Sequence, residues 1–120
     1  NNRETRKEIR VAIDKLVTSL SSLTSRARIF HTEKFSSRDQ LALQSDIQRV
    51  SDRADFIAKY LKITISNECI DLRKSITAEN FDKTNHIPLD DADELLSNIE
   101  DCAYVIEYQL ETSYTDQFQK

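Results

Sequence analysis

Seven apolar residues step through the first third of the chain at alternating intervals of four and three: Ile9, Ile13, Leu16, Leu20, Leu23, Ala27 and Phe30. An α-helix, with 3.6 residues per turn, lays such positions along a single face. The stripe predicts a helix from about Arg3 to Lys34, roughly 45–50 Å long at 1.5 Å per residue. A helix with one apolar stripe has to cover it with other helices. Leu43, Ile47, Val50, Ala54, Ile57 and Leu61 repeat the stepping, and so do Ala92, Leu96, Ile99, Ala103, Ile106 and Leu110. Ile65, Cys69, Leu72 and Ile76 make a shorter seam. The expected fold is all-α: an antiparallel bundle of three or four long helices with heptad-like apolar seams. At 120 residues and 13.9 kDa, residues 1–120 form a single domain.

The chain contains no glycine and one proline. Phosphate-cradling loops, dinucleotide fingerprints and nucleophile elbows all need glycine, so none is present. Turn-rich β folds are disfavoured for the same reason. Without glycine the helix boundaries are hard to place. Ile63, Thr64, Ile65, Ser66 and Asn67 are poor helix formers, and the stepping falters between Leu61 and Ile65. A break at Lys62–Asn67 gives four helices, and a stutter absorbed by unwinding gives three. Ser37 and Gln40 read as a capping box opening the second helix. Residues 79–90, which hold Pro88, Asn80, Asn85 and His86, read as the one long loop. Asp90, Asp91, Asp93 and Glu94 then crowd the start of the last helix, expected to run to about Tyr114, where negative charge suits the helix dipole.

The two cysteines, Cys69 and Cys102, lie on or beside seams and are expected to be reduced, buried hydrophobes. No Glu-x-x-His pair is present and the histidines and cysteines are scattered, so neither metal nor cofactor is expected. With no methionine in the chain, Asn1 is expected not to be the natural start, and residues 1–120 are read as a fragment of a longer protein.

Charge divides the chain. Residues 1–60 hold 12 Lys and Arg against 8 Asp and Glu, whereas residues 61–120 hold 5 against 13. Residues 90–119 contain nine carboxylates and no basic residue. The first and last helices are therefore expected to be neighbours, their charges facing across a groove. Nucleic acid is not an expected partner, because the chain is acidic overall and its basic residues are interspersed with Glu4, Glu8 and Asp14. The basic run Arg3, Arg6, Lys7 and Arg10 resembles the cytoplasmic flank of a membrane span, one that would lie before Asn1. Tyr104 and Tyr108, one turn apart and off the last seam, and Phe56, off the second, are the candidate contacts for a protein partner or for self-association. A four-helix ligand-sensing domain is a further alternative; it would need a polar pocket between helices.

Two stretches carry resemblances. Arg26-Ala-Arg-Ile-Phe-His31 resembles the arginine, four-residue gap, histidine motif of HEPN ribonucleases. That resemblance implies catalysis on the RNA backbone by Arg26 and His31, both exposed in one cleft; Ala27 departs from the polar residue usual after the arginine. Leu72-Arg-Lys-Ser-Ile-Thr77-Ala-Glu-Asn-Phe81-Asp82 resembles a stretch of small uncharacterised bacterial proteins that place a membrane span before a helical domain. This resemblance implies a tethered domain at the cytoplasmic face of a membrane, or a cytoplasmic one, and no enzymatic activity. The expected function is a non-enzymatic helical interaction or tethering domain.

Overall fold

The computed structural model describes residues 2–118. Among them are four α-helices: α1 (Asn2–Thr32), α2 (Ser37–Tyr60), α3 (Ser66–Ile76) and α4 (Glu94–Phe118), with a short 3-10 turn at Glu79–Phe81. The 31-residue α1 is about 46 Å long at 1.5 Å per residue, nearly the full 52 Å length of the molecule. It packs against both α2 and α4, and α3 closes the bundle against α4. α3 has only 11 residues, so one of the four helices is not long. Residues 77–93 fill the space it leaves and lie over the C-terminal end of α1. There the Leu89 N–H donates to the His31 carbonyl at 2.8 Å.

Every position of the first three seams is buried, from Ile9 through Ile76. Full burial of a Leu or Ile side chain contributes ~1.5–3 kcal/mol, and the twelve largest fully buried side chains come from all four helices and Leu61 and Ile65 between them. The last seam needs correction at both ends. Ala92 is exposed and precedes the helix. Asp90 accepts from Ala92 N at 2.8 Å and Asp93 from Leu95 N at 2.9 Å. The Asp90 bond holds a turn ahead of the helix, whereas Asp93, the residue before Glu94, caps the helix start. At the other end Tyr114 extends the seam by four residues and is buried, and α4 runs on to Phe118.

The cap of α2 is also displaced by one residue. Ser36, in extended conformation, is the N-cap, and its hydroxyl accepts from Asp39 N at 3.1 Å. Gln40 does not reach back to a cap: its amide donates to the Phe81 carbonyl at 3.0 Å. It thereby ties α2 to the turn that seats Phe81 in the core.

The helix breaks between Leu61 and Ser66. Lys62 has φ 58°, Lys62 N donates to Lys59 O at 3.2 Å, and Ile63 N donates to Ala58 O at 3.0 Å. This pair of bonds is a Schellman closure, usually built on glycine, with Ile63 packed against the core as its hydrophobic contact. A lysine in the left-handed region costs ~1–2 kcal/mol. Lys62→Gly is therefore expected to raise stability by about 0.5–1 kcal/mol after the added freedom of the unfolded chain is offset. A urea titration should show a higher midpoint at unchanged slope; a lower midpoint would contradict this account of the break.

Candidate functional site

The arginine and histidine of the ribonuclease-like motif are not presented together. Arg26 lies on the surface and pairs with Asp46, Nη1 to Oδ2, at 2.5 Å. His31 is completely buried. Its Nε2 lies 2.9 Å from the Ile76 carbonyl, which can only accept, so Nε2 carries the proton. Nδ1 is then the acceptor for the Asn80 side-chain amide at 3.1 Å. Burial pushes the imidazole pKa down, and His86 adds to that while the Ile76 bond and Asp93 oppose it. A neutral ring buried between α1, α3 and the following turn is a structural joint, not a cation placed at the end of a helix. Its neighbour Asn80 completes the joint through its Oδ1, which accepts from Ile87 N at 2.9 Å. His86 spans the same region, with Nδ1 2.9 Å from the Asn80 carbonyl and Nε2 2.7 Å from the Glu33 carbonyl. Phe30 stacks edge-on against both imidazoles at 5.0 Å.

The candidate contact residues are exposed, at 61% for Tyr104, 56% for Tyr108 and 62% for Phe56. They form two pairs, not one patch. Phe56 stacks on Tyr60 of α2 at 5.3 Å, and Tyr104 lies 6.1 Å from Tyr108 on α4. Phe56 borders the α1/α2 groove with Ala12 and Lys15, whereas Tyr104 borders the α1/α4 groove with Ser21 and Thr24. The two pairs therefore lie on different sides of α1.

The acidic helix meets α1 as its charge requires. Arg10 forks onto Glu111 with contacts of 2.5 and 2.8 Å and reaches Asp14 at 2.7 Å. Its guanidinium also lies 5.0 Å from the Tyr114 ring centre, close enough for a cation–π contribution. Arg28 bonds Glu100 at 3.0 Å and the Asp91 carbonyl at 3.1 Å, and Arg6 bonds the Phe118 carbonyl at 3.3 Å. The bond from Arg10 holds the Glu111 carboxyl below its usual range. Two cations of the basic run near the chain start, Arg6 and Arg10, thus already have structural partners on α4.

Both cysteines are free thiols, Cys69 buried and Cys102 half-buried. Burial, with Asp55 adding to it, pushes Cys69 up to about 11. Burial pushes Cys102 up as well. Neither is an activated nucleophile, because the thiolate is the reactive form. Among the described residues no group of three or more His, Cys, Asp or Glu could hold a metal ion. No helix among them is long and apolar enough to cross a membrane.

Exposed apolar surface is found on α4, where Tyr104, Val105 and Tyr108 lie beside Asp101, and on α2 at Phe56 and Tyr60. In comparisons with known proteins, no family model, no curated protein and no solved structure matches this chain.

Proposed function

We propose that this chain is a non-enzymatic helical interaction and tethering domain, set at the cytoplasmic face of a bacterial membrane and docking a protein partner on the outer side of α4. One observation carries this reading. Two exposed tyrosines stand one turn apart on a helix whose carboxylates Glu100 and Glu111 are engaged by α1. Asp101, exposed beside Tyr104 and Val105, has no ion pair among the described residues. Tyrosine gives large contact area at low entropy cost and is enriched at interfaces. A partner of matching chemistry presents a basic rim around an apolar pocket. The tether rests on the basic run Arg3, Arg6, Lys7 and Arg10, of which Arg6 and Arg10 also bond α4, and on the resemblance carried by Leu72–Asp82.

The test uses the full-length protein in its own cell. A photo-crosslinking amino acid replaces Tyr104 in one variant and the exposed loop residue Ile87 in another. A discrete adduct from position 104 and none from position 87, in a protein that sediments with membranes, is the expected result. Adducts absent from both positions remove the docking face, and a protein found wholly in the supernatant removes the tether.

A further inference from the structure

Across α1 from the tyrosines, the groove between α1 and α2 gathers charge of the opposite sign. Ser19, Ser22 and Arg26 of α1 and Asp46, Arg49 and Arg53 of α2 line a cavity of about 200 Å³ over a floor of Leu23 and Val50. Each row follows the spacing i, i+3, i+7, which places its three side chains on one helix face. Asp46, its side chain only 17% exposed, takes Arg26 on one carboxylate oxygen at 2.5 Å and Arg49 on the other at 3.4 Å. The two guanidiniums are thus held from both walls of the groove, each with most of its five N–H donors still unused. Among the described residues Arg53 has no ion pair or hydrogen bond, and neither the Ser19 nor the Ser22 hydroxyl has a partner. Thr18 and Thr24 nearby return their hydroxyls to the Asp14 and Ser21 carbonyls.

We propose that this groove is a binding site for a phosphate monoester, held by Arg26, Arg49 and Arg53 with the Ser19 and Ser22 hydroxyls. In the lining of the cavity itself three guanidiniums face one carboxylate, an excess of positive charge, with Asp39 and Asp52 beyond its two ends, in a chain whose net charge is −4. A phosphate monoester carries close to two negative charges at neutral pH and three acceptor oxygens. The planar fork of arginine matches those oxygens, and the hydroxyls supply further donors. A nucleic-acid strand is disfavoured because Asp39 and Asp52 stand along the groove on either side of the arginines. Beyond Arg53, Phe56 and Ala12 offer an apolar shelf for the organic part of the ester. The site is separate from the α4 face and does not depend on it.

The same phosphate chemistry occurs on a soluble ester and on a lipid headgroup, and the experiment separates them. The domain is titrated with phenyl phosphate, with inorganic phosphate and with vesicles containing phosphatidic acid, at ionic strength held constant with sodium chloride. The guanidinium Nε–H and backbone amide signals are followed by NMR. Saturable shifts at Arg26, Arg49, Arg53, Ser19 and Ser22 are expected with phenyl phosphate. Affinity should be weaker by roughly tenfold or more in Arg49→Gln/Arg53→Gln, which removes two exposed charge-assisted donors. The rest of that variant's spectrum should be unchanged. A response to the vesicles alone, lost in the same variant, supports the site and assigns the phosphate to a lipid. The proposal is overturned if none of the three probes gives a saturable response below about 10 mM, well weaker than millimolar binding. It is equally overturned if the double variant responds as the parent does, or if chloride alone reproduces the shifts.

Discussion

Replacing His31 with alanine is expected to cost about 3 kcal/mol, a sizeable share of the ~5–15 kcal/mol that holds a domain of this size together. The imidazole is completely buried. Its loss leaves the Ile76 carbonyl and the Asn80 amide without their partner, and it opens a void beside Phe30. An unsatisfied buried polar group costs ~1–3 kcal/mol and the void adds to it. Urea denaturation of His31→Ala against the parent measures the loss, and a change under about 1 kcal/mol would contradict the structural role assigned to this ring.

The same burial sets a pH dependence. The folded-state pKa of His31 lies below its ordinary value of 6.5. Above about pH 6.5 the ring is neutral in both states and its contribution is fully present. As pH falls below that value the unfolded chain takes up a proton that the folded chain resists, so stability declines towards acid. Glu111 acts in the same direction at lower pH. Its folded pKa is depressed by Arg10, so its contribution is present above the usual carboxylate range and lost as pH falls through it. Urea midpoints between pH 7.5 and 5 should fall less steeply in His31→Gln than in the parent. Equal slopes would mean that His31 takes up its proton alike in the folded and unfolded chains.

Reversing Arg10 to Glu is expected to cost about 2 kcal/mol, more than the ~0–1 kcal/mol of an ordinary exposed pair. The pair with Glu111 is a two-bond fork at the α1/α4 seam, packed near Tyr114, and the reversal sets two carboxylates against each other. Glu111→Arg in the same background should recover about half of the loss, and 0.5 M salt should shrink the difference, since the Debye length is already ~10 Å at 0.1 M. The triple reversal of Arg6, Arg10 and Arg28 should destabilise more than that of Arg38, Arg49 and Arg53. The first set faces α4 while the second lies on α2. Equal losses would show that charge plays no part in placing the last helix beside the first.

Much of this fold is written in local pattern. The stepping of Ile9 to Phe30 and of Leu43 to Leu61 is legible because one face of a helix recurs at fixed spacing whatever covers it. The pairing of α1 with α4 is legible for a related reason: an excess of like charge on one helix and of opposite charge on another constrains which helices can be neighbours. The break is legible as one of two readings, in the faltering step from Leu61 to Ile65 and the poor helix formers at 63–67. The residue on which the chain turns, Lys62, is not, because a left-handed residue that is not glycine leaves no mark in the composition. The cap of α2 is read from the sequence at Ser37 and lies at Ser36, an adjacent residue of equal capping ability, because the backbone geometry turns there.

The candidate sites divide along the same line. The exposure of Tyr104, Tyr108 and Phe56 follows from their positions off the seams. His31 lies four residues past Ala27, so helical spacing turns it towards the covered face, but spacing does not say which groups meet a polar ring there. Its two ring nitrogens are satisfied by Ile76 and Asn80, 45 and 49 residues further along. The α1/α2 groove is a similar case: nothing local in the sequence places Arg26 opposite Asp46. Helix period is a property of a few consecutive residues, so the chain determines its own stripes and caps. Which polar groups end up covered, paired or left facing one another depends on segments distant in sequence, and the packing of the bundle decides it.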